Sequence, residues 1–177
     1  MIVANYRRSF VEGHSYFLTV VTHQRNPILI DNIALLRESF QESKRRYEYV
    51  IDAIVVLPDH FHIILTPEKS NTYPDIMKVV KQHFSKNCDE KYYRHLFQSK
   101  SREDKGYKPI WQKRFYEHTI RDEKDYRLRI DYIHYNPVKH GLVKRVKDWK
   151  YSSFQKFVEN GYYSDDWGDF DESMDFE

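Results

Sequence analysis

Two histidines one residue apart, His60-Phe61-His62, are the first group in this chain whose types and spacing can do chemistry. On a strand, residues i and i+2 point to one face, so two imidazoles there can share a divalent ion. Ile54, Val55, Val56 and Leu57 precede them and Ile63, Ile64 and Leu65 follow. Polar rings in so apolar a neighbourhood need partners. Alone, the pair reads equally well as two hydrogen-bonded histidines with no further role. A second group is Asp131-Tyr132-Ile133-His134-Tyr135-Asn136-Pro137. If this run is helical, Tyr132 and Asn136 share a face. A phenol is a competent nucleophile towards a phosphodiester when a metal polarises the phosphate. Tyr126, Tyr132 and Tyr135 all compete for that role, and periodicity does not choose between them.

The elements that must position these groups follow from pattern. Residues 16–22 (YFLTVVT), 49–57 and 60–66 are rich in β-branched and aromatic side chains and read as strands. The break at Pro58-Asp59 makes the last two a hairpin. Residues 32–47 carry Ile33, Leu36, Phe40 and Tyr47 near helical spacing between charged residues. Pro74 opens a second helix to about Asn87, with Lys78, Lys81 and Lys86 on its polar side. Residues 90–109 are polar and broken and read as a loop or lid. Residues 110–120 (IWQKRFYEHTI) read as a strand, and 122–135 as a helix ended near Asn136 by Pro137. A last short helix is expected over 151–158. The order predicts an α+β fold, helices packed on an antiparallel sheet.

Composition narrows the classes of function. The chain has 177 residues, 40% of them hydrophobic, enough for one domain with a core that needs no disulfide. The longest apolar run, Ala53 to Leu57, is far below the roughly 20 residues of a membrane span. Met1 to Phe10 resembles no signal peptide. With the lone Cys88, these features predict a cytoplasmic protein with no membrane partner. There are 29 basic and 27 acidic residues, but seven of the acids fall within 164–177, leaving 29 against 20 before it. A basic body suits a polyphosphate partner. The expected organisation is one domain over 1–163 with a disordered acidic tail over 164–177.

The run VVLPDHFHIIL resembles the His-hydrophobic-His motif of the HUH single-tyrosine transposases. WQKRFYEH followed by KDYRLRIDYIHYNPVKHGLV is similar to their REP-associated subgroup, as are Tyr6-Arg7-Arg8 and the WKYSSF segment at Trp149 to Phe154. The likeness spans nearly the whole body. It implies the ferredoxin-like, RRM-like HUH endonuclease sandwich. It implies that His60 and His62 bind magnesium or manganese, that Tyr132 is the nucleophile, and that Asn136 supplies an amide as third ligand. Two imidazoles and one amide form a neutral set that holds magnesium weakly, so the substrate phosphate completes it.

The resemblance further implies attack by Tyr132 to leave a 5′-phosphotyrosine and a free 3′-OH, with no nucleotide cofactor because the new ester conserves the bond energy. The residues identify no general base. The implied partner is single-stranded DNA folded into hairpins, palindromic repeats of the host genome, with the protein nucleoid-associated when bound. Arg7, Arg8, Lys113, Arg114, Arg121, Lys144, Arg145 and Lys147 are candidates for backbone contacts, and Trp111, Phe115 or Tyr116 for base stacking. Both monomer and homodimer remain open. Two other readings stay beside this one: a domesticated nucleic-acid-binding module without catalysis, and a metal-dependent nuclease that uses water and dispenses with Tyr132.

Overall fold

A computed structural model of the chain describes residues 13–169. Its core is a four-stranded sheet of β1 (Tyr16–Val21), β2 (Tyr49–Val56), β3 (His60–Pro67) and β4 (Tyr116–Thr119). The strand order is β2-β3-β1-β4, with every neighbour antiparallel. The first crossover is α1 (Ile33–Lys44) and the second contains α2 (Tyr73–Asn87) and the short α3 (Lys100–Glu103). The α+β sandwich expected from the pattern is the fold observed.

Period-two alternation divides the sheet into two faces. Tyr16, Leu18 and Val20 of β1 and Phe61, Ile63 and Leu65 of β3 pack under α1 and α2. Phe17, Ala53, Val55 and Ile64 face the opposite way, under α4 (Glu123–Lys139) and α5 (Phe154–Glu159). Both sides of β3 are therefore buried, which is why its sequence is almost continuously apolar. In α2, Ile76, Met77, Val80 and Phe84 are all sealed at helical spacing, and Pro74 sits where its missing N–H costs nothing.

Three expectations are corrected. The strand predicted over 110–120 survives only as β4, plus a single bridge between Trp111 and Thr22. Thr19 pairs with Tyr116 and Thr22 with Trp111, so the β4 side carries two residues more than β1 can match. The surplus bows out as exposed Gln112, Lys113 and Arg114. The tyrosine helix does not stop before Pro137 but runs to Lys139. Gly141 ends it: at φ +67° its N–H bonds the Val138 carbonyl (2.8 Å), and the Leu142 N–H bonds that of Pro137 (2.9 Å). This is a Schellman closure, which needs a left-handed residue that Pro137 cannot supply.

The acidic segment is also not uniformly outside the fold. Trp167 lies against Tyr163 (4.2 Å between centroids) and Phe154 (6.1 Å), and Asp165 pairs with Lys147 (2.5 Å). The ordered body thus extends at least to Asp169, and residues 170–177 lie outside those described, as do Arg7 and Arg8. Gly168 makes the close approach possible. Its φ is +80°, and a Cβ there would stand 2.9 Å from Val146 Cγ2 and 3.3 Å from Tyr135 Cδ2. Gly168→Ala is expected to lower the melting temperature by about 2–8 °C, because strain and displacement together cost about 1–2 kcal/mol. An unchanged melt would mean that residues 164–169 do not pack on the body.

Candidate active site

The HxH run lies on β3, and its two imidazoles share the face turned to α4, with ring centroids 4.9 Å apart. Both are buried, at 5% and 4% exposure. Each is anchored through Nδ1. His60 Nδ1 bonds Asp59 Oδ1 at 2.6 Å, and Asp59 is itself held by Arg25 at 3.1 Å. Burial alone would raise the Asp59 carboxyl, but His60 and Arg25 outweigh it and hold it below the usual range. His62 Nδ1 bonds Thr19 Oγ1 at 2.8 Å, because the β1–β3 register sets Thr19 directly opposite His62. His62 Nε2 is buried with no hydrogen-bond partner.

α4 brings the second group to the first. Asp122 caps its start by accepting from the Asp125 N–H at 2.8 Å. Ile130 and Ile133 bury against the sheet, so the residues one step around the helix face the histidines. The Tyr132 ring stands edge-on to His62 (5.2 Å) and to Phe17 (5.8 Å), and Lys139 Nζ is 5.4 Å from its centroid. Asn136 is fully buried, and neither its Oδ1 nor its Nδ2 has a hydrogen-bond partner. Its amide lies near enough to His62 to favour the charged ring slightly, yet no atom pair reaches hydrogen-bond geometry.

The three helix tyrosines have different surroundings. Tyr126 turns to Asp52, and burial together with that carboxylate pushes its phenol up to about 12. Tyr135 packs towards Trp167 at 6.4 Å. Tyr132 is the one against the histidine pair. The site is assembled within a single chain.

Stacked behind α4 is a second polar system that sequence reasoning missed. His134 is fully buried and bonds Ser153 Oγ at 2.8 Å and Tyr163 Oη at 3.3 Å. The Tyr163 hydroxyl donates to Asp131 at 2.6 Å. Ser153 Oγ also accepts from the Ile54 N–H at 3.0 Å and the Ser153 N–H donates to the Ile54 carbonyl at 2.8 Å, so the network ties the tyrosine helix to the edge of β2. Nothing local in sequence announces it, since its members are far apart along the chain. Asp59 and Thr19 were missed too. Asp59 adjoins His60 and could have been suspected; Thr19 depends on a register that only the sheet reveals.

The candidates for DNA contact separate on burial. Lys113, Arg114, Arg121, Lys144 and Arg145 are exposed. Arg145 is engaged bidentately by Asp148 at 2.9 Å, and Lys147 is turned to Asp165. Trp111 is a correction: at 4% exposure, packed on Phe84 (5.1 Å) and Phe61 (6.1 Å), its ring is core and cannot stack on a base. Phe115 packs partly buried against the same cluster. Tyr116 is 55% exposed.

The comparisons with known proteins follow this geometry. The family described as "Transposase IS200 like" matches residues 3–136, ending on Asn136. The REP-associated tyrosine transposase of Escherichia coli (strain K12) is 38% identical over 167 residues, 93% of this chain and 91% of that one. A Haemophilus influenzae protein assigned to the same group is 39% identical over 168 residues, 94% of each. The chain belongs to the REP-associated tyrosine transposases. A solved REP-associated tyrosine transposase bound to a REP hairpin is 36% identical and superposes with a TM-score of 0.76, covering 97% of this chain and 96% of that one. No helix among the described residues of this REP-associated tyrosine transposase is long and apolar enough to cross a membrane.

Two deeply buried imidazoles of this family member, His62 and His134, are held in the neutral form. Burial first, and then the charges of His60, His140 and Arg25, lower His62 to about 3. Burial alone lowers His134 to about 3. In the unfolded chain both titrate near 6.5. Between those values the unfolded state holds protons that the native state refuses, so stability must fall as pH drops from about 6.5 towards 3. Denaturant titrations should show a loss of about 2 kcal/mol per pH unit near pH 5, and His134→Gln should roughly halve that slope. A flat profile between pH 6.5 and 4 would contradict the buried neutral pair.

Proposed function

We propose that the chain cleaves and rejoins single-stranded, hairpin-forming DNA of the REP type through a covalent bond to Tyr132, with magnesium or manganese held by His60, His62 and Asn136. The observation that carries this reading is that the Tyr132 ring stands against His62, whose buried Nε2, like both polar atoms of the buried Asn136 amide, has no hydrogen-bond partner. Such atoms are costly to leave unmatched in a core, by about 1–3 kcal/mol each. The donor set fits a hard cation. Among the described residues no three His, Cys, Asp or Glu side chains cluster as a metal site, so an amide and substrate oxygens must complete it.

The anchoring on Nδ1 supports the same reading. Carboxylate behind His60 and hydroxyl behind His62 fix both rings with Nε2 aimed away, the usual arrangement behind a metal-bound histidine. When bound, the cation supplies Lewis-acid polarisation of the scissile phosphate. The residues of the chain do the rest. Phe17 and His62 confine the Tyr132 ring, leaving its hydroxyl to attack phosphorus; the P–O3′ bond breaks, the 3′ oxygen leaves as a hydroxyl that takes up a proton in place of the one the phenol loses, and the 5′-phosphotyrosine remains. Lys139, its Nζ 5.4 Å from the ring centroid, sets a cation beside the place where the DNA phosphate must approach. A free 3′-OH later attacks the phosphotyrosine and restores a phosphodiester, so no nucleotide cofactor is needed. The hairpin partner is carried over from the relative solved with a REP hairpin.

The test mixes the protein with a labelled REP-type hairpin oligonucleotide and manganese and resolves the products on a denaturing gel. A covalent protein–DNA band is expected, abolished by chelator and reduced at least 100-fold in Tyr132→Phe and His62→Ala. Cleavage that persists without an adduct in Tyr132→Phe would assign the chemistry to water. Tight binding with no cleavage would make the chain a binding module.

A further inference from the structure

We propose that the uncovered half of the α4-facing sheet surface, with Tyr116 at its centre and Arg129 at its rim, holds the unpaired nucleotides next to the bond that Tyr132 attacks. A base stacks on Tyr116 and a phosphate pairs with Arg129. This deepens the reading above and rests on it for the identity of the attacked bond.

Register places the surface. Thr19 faces Tyr116 across β1 and β4, and Phe17 faces His118, while Thr19 also faces His62 across β1 and β3. Tyr116, His118, Phe17, Thr19 and His62 therefore lie on one face of the sheet. α4 covers that face over β2 and β3, leaving the β4 side open with the Tyr116 ring 55% exposed. The ring is edge-on to Phe17 at 6.3 Å, and Phe17 in turn touches His62 (5.6 Å) and Tyr132 (5.8 Å). One aromatic ring thus separates Tyr116 from the nucleophile.

Arg129 sits three residues before Tyr132 on α4, its guanidinium 5.2 Å from the Phe17 centroid. Asp125 Oδ1 lies 3.5 Å from its Nε, and Asp125 is fixed by His118 (2.7 Å) and by the Arg121 N–H (3.0 Å). The guanidinium is pre-oriented and still 30% exposed. Arg121, 74% exposed, adds charge at the same end, and Lys139 stands beyond Tyr132. The acids nearby do not cancel this. Asp125 is occupied by His118, Arg121 and Arg129, and Glu117, paired with Leu18, belongs to the other face.

An exposed aromatic flanked by cations recognises stacked bases on a phosphate backbone. Only an unpaired strand offers a base face to such a ring, which makes the occupant single-stranded DNA rather than the duplex stem.

The test uses the full chain carrying Tyr132→Phe, so that DNA stays uncut, with Tyr116→Ala, Tyr116→Phe or Arg129→Gln added. Binding is measured to a hairpin with an unpaired flank and to the same hairpin without it, with 2-aminopurine placed in turn at each flank position. Tyr116→Ala should weaken binding of the flanked hairpin about 10- to 100-fold, leave the bare hairpin within about twofold, and abolish 2-aminopurine quenching at one position. Tyr116→Phe should restore both, and Arg129→Gln should weaken the flanked hairpin and flatten its salt dependence. Unchanged binding in Tyr116→Ala, or equal loss on both DNAs, would overturn the proposal. Adduct formation by the otherwise wild-type chain is scored separately, so an absent adduct with intact flank-dependent quenching defeats the catalytic reading and not this one.

Discussion

The pairing of Thr19 with His62 across the two central strands is the constraint on which the rest depends. It fixes His62 through a hydroxyl, sets His60 two residues away on the same face, and places Phe17 beside His62. A slip of one residue would turn the imidazoles into the α1–α2 core and bring Phe61 to the site. The register is secured because both faces of β3 are buried: Phe61, Ile63 and Leu65 on one side, Ile64 on the other. The hydrophobic pattern that folds the sheet is thus also what aims the histidines.

α4 answers that constraint from above. Its apolar side, Ile130 and Ile133, settles on Ala53, Val55 and Ile64, and this rotation presents Tyr132 and Asn136 to the histidines. Three independent fastenings hold the helix: the Asp122 cap, the Gly141 closure and the His134–Ser153–Tyr163–Asp131 network. The segment 162–169 belongs to the same fastening, since Tyr163 and Trp167 close over the outer side of the helix. Held so firmly, Tyr132 in its proposed role as nucleophile would begin close to its reacting geometry and need little ordering when substrate arrives.

Much of this was legible in the sequence, and the failures have physical causes. β1, β2, β3, α1 and α2 were visible because each carries a run of apolar residues in strand or helix pattern, whereas β4 is a short remnant of the longer strand expected over 110–120. His60, His62, Tyr132 and Asn136 were visible as short patterns with a known chemical use, although spacing alone did not separate Tyr132 from Tyr126 and Tyr135. What could not be read were relations between distant segments. The partners of His62 and His134 depend on register and on the return of residues 151–163. Trp111 looked like a stacking residue because aromatic type says nothing about which side of a short bridge it occupies. Pro137 only disfavours helical geometry at the residue before it, whereas Gly141, the true stop, acts through a backbone angle. Charge alone does not show that the first part of the acidic segment carries Trp167, which packs on Tyr163 and Phe154.

On the proposed function, His62 Nε2 and the Asn136 amide are buried without partners because they serve a cation. The most direct measurement is the melting temperature of the chain and of Asn136→Leu, each with and without millimolar manganese. Wild type should be stabilised by several degrees on adding metal, while Asn136→Leu should be at least as stable as wild type without metal and show much the smaller response. Equal response of the two proteins, or a metal-free Asn136→Leu several degrees less stable than wild type, would make Asn136 a structural residue and contradict the account.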